Sequence, residues 1–464
     1  MVALQEANLA YHYPIIYWNC ANLISDSGGE DGNTNYGKIS TAISNITKVG
    51  VKVALPDINR VKFGFHPDVK NNEIVYGLKP IQGIGTAVAK AIISKQPYTS
   101  VNDFYSKMQE YKTEADENKF GDTAMITLIK AGCFDELEHK SRQEIMADFI
   151  RSISNPIKSL KIGNIEDLNE LGLLTDAQKK YELRLYKYRK YVCQKKFFVK
   201  QTGKSPTTAY YKLERKFAEP AFYDWFETYM TEGKDYEYSD DGFICVKKGS
   251  LDRVFDKLTE DFKKNVLGNE KFLDKINENK FKQIWEEKAS GSISKWEMDS
   301  MCFYYSGHEL AKVNRKEYNI VNFDELNPEP QIADFFYYRG QPKPRFALYR
   351  ICGTVLDRDK NKHTVSLLTP DGVVSVKLYQ GQFSFYDKQI SKVNEDGSKT
   401  RIEGSWFSRG TKLMITGFRR DEQFIPRQYK DSIYKHTVQL IKSVNDDGTL
   451  ILQSERAGTE SEEC

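Results

Sequence analysis

The chain has 464 residues, of which 40% are hydrophobic and 29% are charged, a composition typical of globular proteins with two to four domains. Its 68 basic and 65 acidic residues leave a net charge of +3, so a nucleic-acid surface would have to be local. The seven cysteines are widely spaced without a Cys-x-x-Cys pair, which argues against a disulfide framework or a zinc site and fits a reducing cytoplasm.

The first part of the chain is predicted to be mostly helical. Residues 2–24 are apolar and aromatic with helical spacing, and Ile39–Val49 is predicted as an amphipathic helix. A short strand is predicted to end at Pro56, and the following Asp57-Ile58-Asn59 to form a turn with local side-chain hydrogen bonds. Residues 155–295 are rich in Lys, Glu and Tyr and are also predicted to be mainly helical.

From about Arg345 the apolar residues alternate with polar ones, which predicts β-strands. Asp-Gly and Arg-Gly turns separate about five strands, and this pattern predicts a small barrel of the OB type over residues 336–452. The polar tail, 453–464, is predicted to be disordered. The predicted fold class is therefore mixed: helices over the first two thirds, then a small all-β barrel.

A glycine pair interrupts the helical part, in the segment GLKPIQGIGTAVAKAIISK (Gly77–Lys95). A dinucleotide-binding loop would need a third glycine at Val88, and a P-loop would need Gly-Lys-Ser/Thr, which does not follow. We therefore expect a helix that ends near Lys79 or Ile81, a tight turn at Gly83-Ile84-Gly85, and a second helix that begins at Thr86.

Such a helix–hairpin–helix can hold the DNA backbone without reading sequence. Gly83 and Gly85 allow a close approach to the backbone, Ile84 packs between the helices, and the first N–H groups of the second helix can bind a phosphate. Two alternatives are an ordinary glycine-terminated helix and a hairpin that contacts protein.

Several segments, in the same order, resemble the C-terminal half of the bacterial DNA polymerase III alpha subunit, a C-family replicative polymerase. These are ALQEANLAYHYPIIYWNCANLI (3–24), LPDIN (55–59), IVYGLKPIQGIG (74–85), LIKAGCFDEL (128–137) with Ser141-Arg142, and EMDSMCFYYSGHEL (297–310). The sequence departs from the family pattern at Ala10, where a Lys is usual, and at Glu309, where a Pro is usual.

The resemblance implies a domain order. It comprises a remainder of the fingers domain (1–75), tandem helix–hairpin–helix motifs (76–154), an insert (155–295), a connector (296–335) and the barrel. The family's catalytic aspartates, which bind Mg²⁺, lie in an upstream palm domain, and no palm-like Asp-x-Asp in a hydrophobic strand is found here. We expect no catalytic residue, metal ligand or cofactor in this chain, and a palm-bearing partner that carries the Mg²⁺. The chain is then either a natural half of a split polymerase, of viral or phage type, or a fragment.

Two groups of residues are predicted to contact DNA. The hairpins are expected to hold duplex DNA, and the barrel to guide the single-stranded template; half of the barrel residues could instead belong to its core or solvated surface. The hairpin residues are Gln82, Gly83, Ile84, Gly85, Thr86, Lys90, Lys130, Gly132 and Arg142. The barrel residues are Tyr349, Arg350, Lys377, Tyr379, Arg419 and Arg420.

A third prediction concerns the basic and aromatic stretch Lys179–Lys200. Gln194, Phe197 and Phe198 have the Gln-x-x-h-Phe form of a sliding-clamp-binding peptide; the alternatives for the stretch are a solvated helix face and a surface that binds nucleic acid or another partner. The sequence predicts, in sum, the DNA-binding part of a replicative polymerase in a bacterial or phage-infected cytoplasm, with no membrane contact. The alternative is a non-catalytic protein that tethers DNA or a replisome with the same modules.

Overall fold

The structure, a computed structural model, describes most of the chain and divides it into two compact units. One unit comprises residues 1–147 and 289–464, and the other comprises residues 148–288. The described residues are 7–8, 11, 15–29, 32–114, 120–193, 196–200, 208–213, 220–240, 242–394, 397–430 and 432–457, with the backbone alone for 113–114, 196–200 and 208. Within these ranges no helix is both long and apolar enough to cross a membrane.

The N-terminal part of the first unit packs two helices beside a small sheet. Asn35 caps the second helix, because its side-chain oxygen accepts a hydrogen bond from the Lys38 N–H at 3.0 Å. Ile39, Ile43 and Ile46 recur every three or four residues and are buried, which confirms the predicted amphipathic helix. The elements are α1 (Ile15–Asp26), α2 (Tyr36–Lys48), β1 (Lys52–Ala54), β2 (His66–Asp68) and β3 (Glu73–Val75).

The sheet has the order β1-β3-β2, with β1 parallel and β2 antiparallel to β3. The predicted turn after β1 is confirmed: Asp57 Oδ1 accepts hydrogen bonds from the N–H groups of Asn59 and Arg60, both at 2.9 Å. The Asn59 amide then bridges to Tyr98, donating to its carbonyl at 2.8 Å and accepting from its N–H at 2.7 Å. This turn ties the sheet to the helices that follow.

The segment before the glycine pair is not the predicted helix. After β3, two successive tight turns replace it: the Ile81 N–H donates to the Leu78 carbonyl at 3.1 Å, and the Ile84 N–H donates to the Ile81 carbonyl at 3.2 Å. Pro80 explains the difference, since it lacks an N–H and disfavours helical geometry at the residue before it. Helices then follow as α3 (Thr86–Ser94), α4 (Val101–Glu114), α5 (Asp122–Lys130) and α6 (Arg142–Ile153).

The second unit contains a sheet as well as helices, so the prediction of a mainly helical insert was incomplete. Four antiparallel strands have the order β4-β5-β7-β6, and Phe222, Phe226, Val246 and Phe255 belong to one buried cluster. The elements are α7 (Ile165–Glu170), α8 (Asp176–Lys180), α9 (Glu182–Cys193), β4 (Lys196–Lys200), β5 (Thr208–Leu213), α10 (Pro220–Tyr229), β6 (Tyr236–Tyr238), β7 (Ile244–Lys247), α11 (Lys248–Leu258), α12 (Glu260–Phe262) and α13 (Glu270–Lys288).

The chain returns to the first unit through two helices and a long run of strands. The helices are α14 (Ile293–Met301) and α15 (Arg315–Tyr318). The remaining elements are β8 (Ile332–Tyr338), β9 (Gln341–Phe346), β10 (Tyr349–Asp359), β11 (Thr364–Thr369), β12 (Gly372–Lys377), α16 (Gln380–Asp387), β13 (Ile390–Val393), β14 (Lys399–Glu403), β15 (Lys412–Arg420), β16 (Gln423–Pro426), β17 (Val438–Val444) and β18 (Leu450–Gln453).

Five of these strands close into a barrel. The pairing runs β10-β11-β12-β16-β15 and back to β10, with only the β12–β16 contact parallel, which is consistent with the OB type. Alternate residues point inward, as the period-two pattern predicted. They include Ile351, Val355, Val365, Leu367, Val374, Val376, Leu413 and Ile415.

The start of the predicted disordered tail is instead ordered. Arg456 is 3% exposed, and its guanidinium donates to Glu403 Oε2 at 2.9 Å and to the carbonyls of Phe385 and Gly404, both at 2.7 Å. A polar composition cannot reveal such an anchor, because its acceptors come from residues more than 50 positions away in the sequence. The prediction of disorder is therefore wrong for residues 453–457, and 458–464 lie outside the described residues.

Candidate nucleic-acid interface

The glycine turn, residues 81–86, presents an open and uncapped helix start. Gly83 has φ +73°, a conformation that glycine adopts without strain, and Ile84 is 4% exposed and anchors the turn in the core. Gly85 is the N-cap residue of α3 and offers no side chain to cap it. Because no acidic residue lies in the first turn of α3, its N-terminal end retains the partial positive charge that attracts anions.

Space above the turn is free in the described structure. A methyl group placed on Gly83 or on Gly85 would meet no heavy atom within 4 Å, and both glycines are exposed. Thr86 is half-buried beside them, and Lys90 is exposed one turn further along α3. The absence of side chains here is therefore not required by packing, and it leaves room for an external backbone or phosphate.

Gln82 has a different role from the glycines beside it. Its backbone N–H donates to the Ser300 carbonyl at 2.8 Å, and its side-chain amide lies 2.7 Å from Cys302 Sγ. The Tyr76 hydroxyl also donates to the Met301 carbonyl at 2.8 Å. The glycine turn thus packs against the C-terminal end of α14. Because Gln82 makes two of these contacts, its role is to position the turn.

Gly132, which was also predicted to contact DNA, faces the protein interior. Its φ is +79°, and a methyl group there would lie 2.5 Å from a guanidinium nitrogen of Arg142. Arg142 is 6% exposed; its Nη1 lies 3.1 Å from Glu297 Oε1 and its Nη2 lies 2.5 Å from Asp135 Oδ2. This geometry favours a structural role for both residues over the predicted DNA contact.

Glu297 is the centre of this buried cluster and was not identified from the sequence. It is fully buried and accepts hydrogen bonds from the N–H groups of Tyr305 and Ser306 at 2.9 and 2.8 Å, and from the Ser306 hydroxyl at 2.7 Å. Lys130 lies nearby, with Nζ 3.9 Å from Asp299 Oδ2, and burial lowers its pKa. Three of the quoted segments, 74–85, 128–142 and 297–310, therefore meet at one junction.

Comparisons with known proteins agree with this assembly. A family model described as a helix-hairpin-helix motif matches residues 50–145. Over 98% of its length the chain is 41% identical to the probable DNA polymerase YorL of Bacillus subtilis, and it is equally similar to a DNA-directed DNA polymerase of Bacillus phage SPbeta. It is 27% identical, over 41% of its length, to the DNA polymerase III subunit alpha of Borreliella burgdorferi.

The chain is homologous to the C-terminal region of the DNA polymerase III alpha subunit. The family resemblance is therefore confirmed. The chain spans about a third of the length of the Bacillus and phage relatives, 34% in each case, and 16% of the Borreliella protein.

The barrel residues predicted for this polymerase-family chain fall into two groups at opposite ends of β10. Tyr349 and Arg350 pair with Gly417 and Thr416 at its start, whereas Lys377 pairs with Thr364, which follows its end. Tyr379, beside Lys377, is 58% exposed. The structure therefore does not bring all of the predicted residues together.

Their surroundings also differ. Arg420 is exposed, with its guanidinium 5.5 Å from the Phe418 ring, and Arg350 is half-buried, 4.3 Å from the Tyr434 ring. Arg419 is 9% exposed and donates to the carbonyls of Phe323 and Leu326 at 3.2 and 3.0 Å. Tyr349 donates to Gln331 at 2.8 Å, and Lys377 donates to the Lys362 carbonyl. Arg419 has the environment of a core residue, whereas Tyr379 and Arg420 are exposed to solvent.

The predicted clamp-binding residues are only partly placed. Gln194 lies outside the described residues. The backbones of Phe197 and Phe198 are in β4, opposite Tyr211 and Tyr210 of β5, and their side chains also lie outside the described part of the chain. Clamp binding stays a prediction. Among the described residues, no group of three or more His, Cys, Asp and Glu side chains could hold a metal ion.

Proposed function

We propose that this chain is the DNA-holding part of a replicative DNA polymerase of the DNA polymerase III alpha type. The observation that carries the proposal is the open glycine turn at the uncapped start of α3, within the region matched by the helix-hairpin-helix model. The N–H groups at the start of a helix suit a phosphate, and contacts to phosphates are independent of base sequence.

In this proposal the two modules divide the DNA between them. The glycine turn, with Lys90 nearby, holds the phosphates of the duplex product. The barrel contacts the single-stranded template, with Tyr379 available for stacking on bases and Arg420 for attraction to phosphates. Lys377 lies close to Tyr379 along the chain and adds a positive charge to the same end of the barrel.

Nucleotidyl transfer itself is proposed to depend on a palm domain, on another segment or another polypeptide, whose carboxylates bind Mg²⁺. Two metal ions in such a site stabilise the attacking and leaving oxygens. Residues of this chain would position the primer–template for that reaction in a bacterial or phage-infected cytoplasm. A sliding clamp, bound through Gln194, Phe197 and Phe198, is a further proposed partner.

Duplex binding tests the proposal. The full chain is titrated against several 20-base-pair duplexes of unrelated sequence by fluorescence anisotropy, at two or more salt concentrations. We expect nearly equal affinities, and a slope of log affinity against log salt of about −0.9 for each neutralised phosphate. No binding at low salt, or a strong preference for one sequence, would contradict the proposal.

A further inference from the structure

The strands β8 and β9 form a hairpin outside the barrel, which we call the aromatic hairpin (residues 332–346). Its turn residues Arg339 and Gly340 both have positive φ, +51° and +76°, as a two-residue type I′ turn requires. The two strands pair only with each other among the described strands. The predicted boundary between connector and barrel, at 335/336, falls inside β8, and this hairpin was not recognised from the sequence.

The strand register separates the side chains of the hairpin into two faces. Phe336 lies opposite Lys343 on one face, and Phe335 and Tyr337 lie opposite Pro344 and Pro342 on the other. On the first face, the Lys343 ammonium is 4.9 Å from the Tyr338 ring and the Arg345 guanidinium is 5.4 Å from the Phe336 ring. One face is therefore aromatic and cationic, and the other is aromatic and uncharged.

Large aromatic side chains on the hairpin are exposed to solvent. The exposed fraction is 59% for Phe335, 77% for Tyr337 and 50% for Tyr338. Rings that keep half or more of their surface in solvent bury little apolar area, so these side chains contribute little to a core. Phe335 and Tyr337 lie on the same face, and neighbouring exposed rings of this kind are typical of a binding surface.

The charges near the rings identify the kind of ligand. The hairpin carries three basic residues, Arg339, Lys343 and Arg345, against one acid, Asp334, which lies 3.8 Å from Arg345. The cations continue onto the barrel, where Arg420 lies 5.8 Å from the Phe346 ring and Arg427 lies 5.7 Å from the Tyr429 ring. Rings interleaved with positive charges match the bases and phosphates of a single strand.

The base of the hairpin is fixed to the barrel. The Phe346 ring packs 4.8 Å from the Phe418 ring, and the Phe346 N–H donates to the Tyr429 hydroxyl at 2.9 Å. Tyr349, at the start of β10, donates to Gln331 just before β8. The hairpin thus extends from the end of the barrel that carries Tyr349, Arg350 and Arg420.

We propose that the aromatic hairpin is a binding surface for single-stranded DNA, in addition to the barrel. Alternate residues on a strand are spaced roughly 6.7 Å apart, about twice the 3.4 Å rise of stacked bases. The gap between Phe335 and Tyr337 therefore admits one stacked base, and Lys343, on the opposite face of the hairpin, and Arg420, on the barrel, attract the phosphates of the strand as it passes around the hairpin. This inference rests on the proposed DNA-holding function and gives the ligand of one further surface.

Removing single rings tests the inference in the full chain. Phe335→Ala and Tyr337→Ala are compared with the wild type for binding to a labelled 20-mer of deoxythymidine, by fluorescence anisotropy. Each substitution is expected to weaken binding at least about fivefold, because a base–aromatic stack contributes that much or more. Tyr337→Trp, which keeps a ring, should retain the affinity, and Lys343→Gln should reduce the salt slope by about 0.7.

The matched control is Tyr238→Ala in the other unit, where the ring is 44% exposed; its affinity should be unchanged. The affinity of the hairpin variants for duplex DNA should also stay within about twofold of the wild type. Wild-type affinity for the oligonucleotide in both Ala variants would overturn the inference and leave the hairpin as a protein-binding surface. An equal loss for duplex and single strand would overturn it as well. If the wild type binds no DNA at all, the proposed function fails, which is a different result.

Discussion

His308 shows how a single buried residue can join two parts of this chain, in the structural role that its sequence context predicts. Ser306-Gly307-His308 lacks a partner constellation for catalysis, and the structure gives the ring two backbone contacts instead. Its Nε2–H donates to the Leu368 carbonyl at 2.8 Å, and its Nδ1 accepts the Leu310 N–H at 3.0 Å. The ring therefore joins the segment after α14 to the barrel strand β11 in its neutral form.

The stability of the chain should depend on pH through His308. Burial lowers the pKa of His308 to about 4, from about 6.5 in an unfolded chain. The unfolded state therefore binds the proton more readily between these values. The contribution of His308 to stability is complete above pH 6.5 and is lost as the pH falls towards 4, by about 3 kcal/mol.

Denaturant unfolding from pH 7 to pH 4 measures this contribution, as the difference between the wild type and His308→Gln. Burial also lowers the pKa of His66. His66 and the other titrating groups are present in both proteins, so their contributions cancel in the difference between the two unfolding free energies. We expect the difference to shrink as the pH falls. A constant difference over this range would show that His308 does not titrate as inferred.

Substitutions at Arg142 distinguish a structural role of this residue from the predicted contact with DNA. Arg142→Met leaves the Glu297 carboxylate buried without its cation, so we expect about 3–5 kcal/mol of destabilisation. Arg142→Met combined with Glu297→Gln should recover part of that loss. The folded double variant should bind duplex DNA like the wild type. A stable single variant with weakened DNA binding would instead support the predicted phosphate contact.

At the scale of elements, the periodicity of apolar residues predicted those helices and strands whose form depends on local sequence. The alternation in β12 and the three-four spacing in α2 each follow from one buried face, and both were predicted correctly. Strand β10 is instead buried on both faces, since Cys352 and Leu356 pack in clusters outside the barrel core. The sheet of the second unit was missed because its Lys-rich and Tyr-rich strands β4 and β5 resemble a solvated helix in composition. The pairing of Arg142 with Glu297 was missed because 155 residues separate them.

Helix α1 has one face against the core and one in solvent. Ile16, Cys20 and Leu23 are buried, whereas Ile15 and Tyr17 are 52% and 44% exposed. We expect the exposed face to bind a palm-bearing segment or chain of the polymerase. Ile15→Ser with Tyr17→Ser should weaken co-purification with a co-expressed palm-bearing polypeptide and lower primer extension by the pair. Undiminished association would place the interface elsewhere.

Deletion of residues 1–24 is a poorer test, because it also removes Ile16, Cys20 and Leu23 from the core. The matched control is Tyr305→Ser, where the ring is 52% exposed at the junction of the quoted segments. It should not change association with the palm-bearing polypeptide. If no palm-bearing polypeptide restores primer extension, the non-catalytic tether becomes the better interpretation.

For the whole molecule, the positions of the modules are compatible with the proposal that a nearly neutral protein holds DNA. The open glycine turn, the junction around Glu297 and the barrel all belong to one unit, and α14 connects the turn to the segment that contacts β11. The aromatic hairpin and the neighbouring Arg420 supply the kind of local basic surface that DNA binding by a chain of net charge +3 needs.

The central claim is that the glycine turn holds duplex DNA, and blocking it is the most direct test. At Gly85, φ is −72° and the space is open, so Gly85→Val should fold normally; Gly83→Val adds backbone strain, for which Gly172→Val, at φ +67° in open space, is the matched control. We predict that the double variant Gly83→Val with Gly85→Val has at least about tenfold lower affinity for every duplex, because hydrogen bonds from backbone N–H groups to the charged phosphate are lost. Gly172→Val should bind duplex DNA like the wild type. A folded double variant with wild-type duplex affinity would contradict the account.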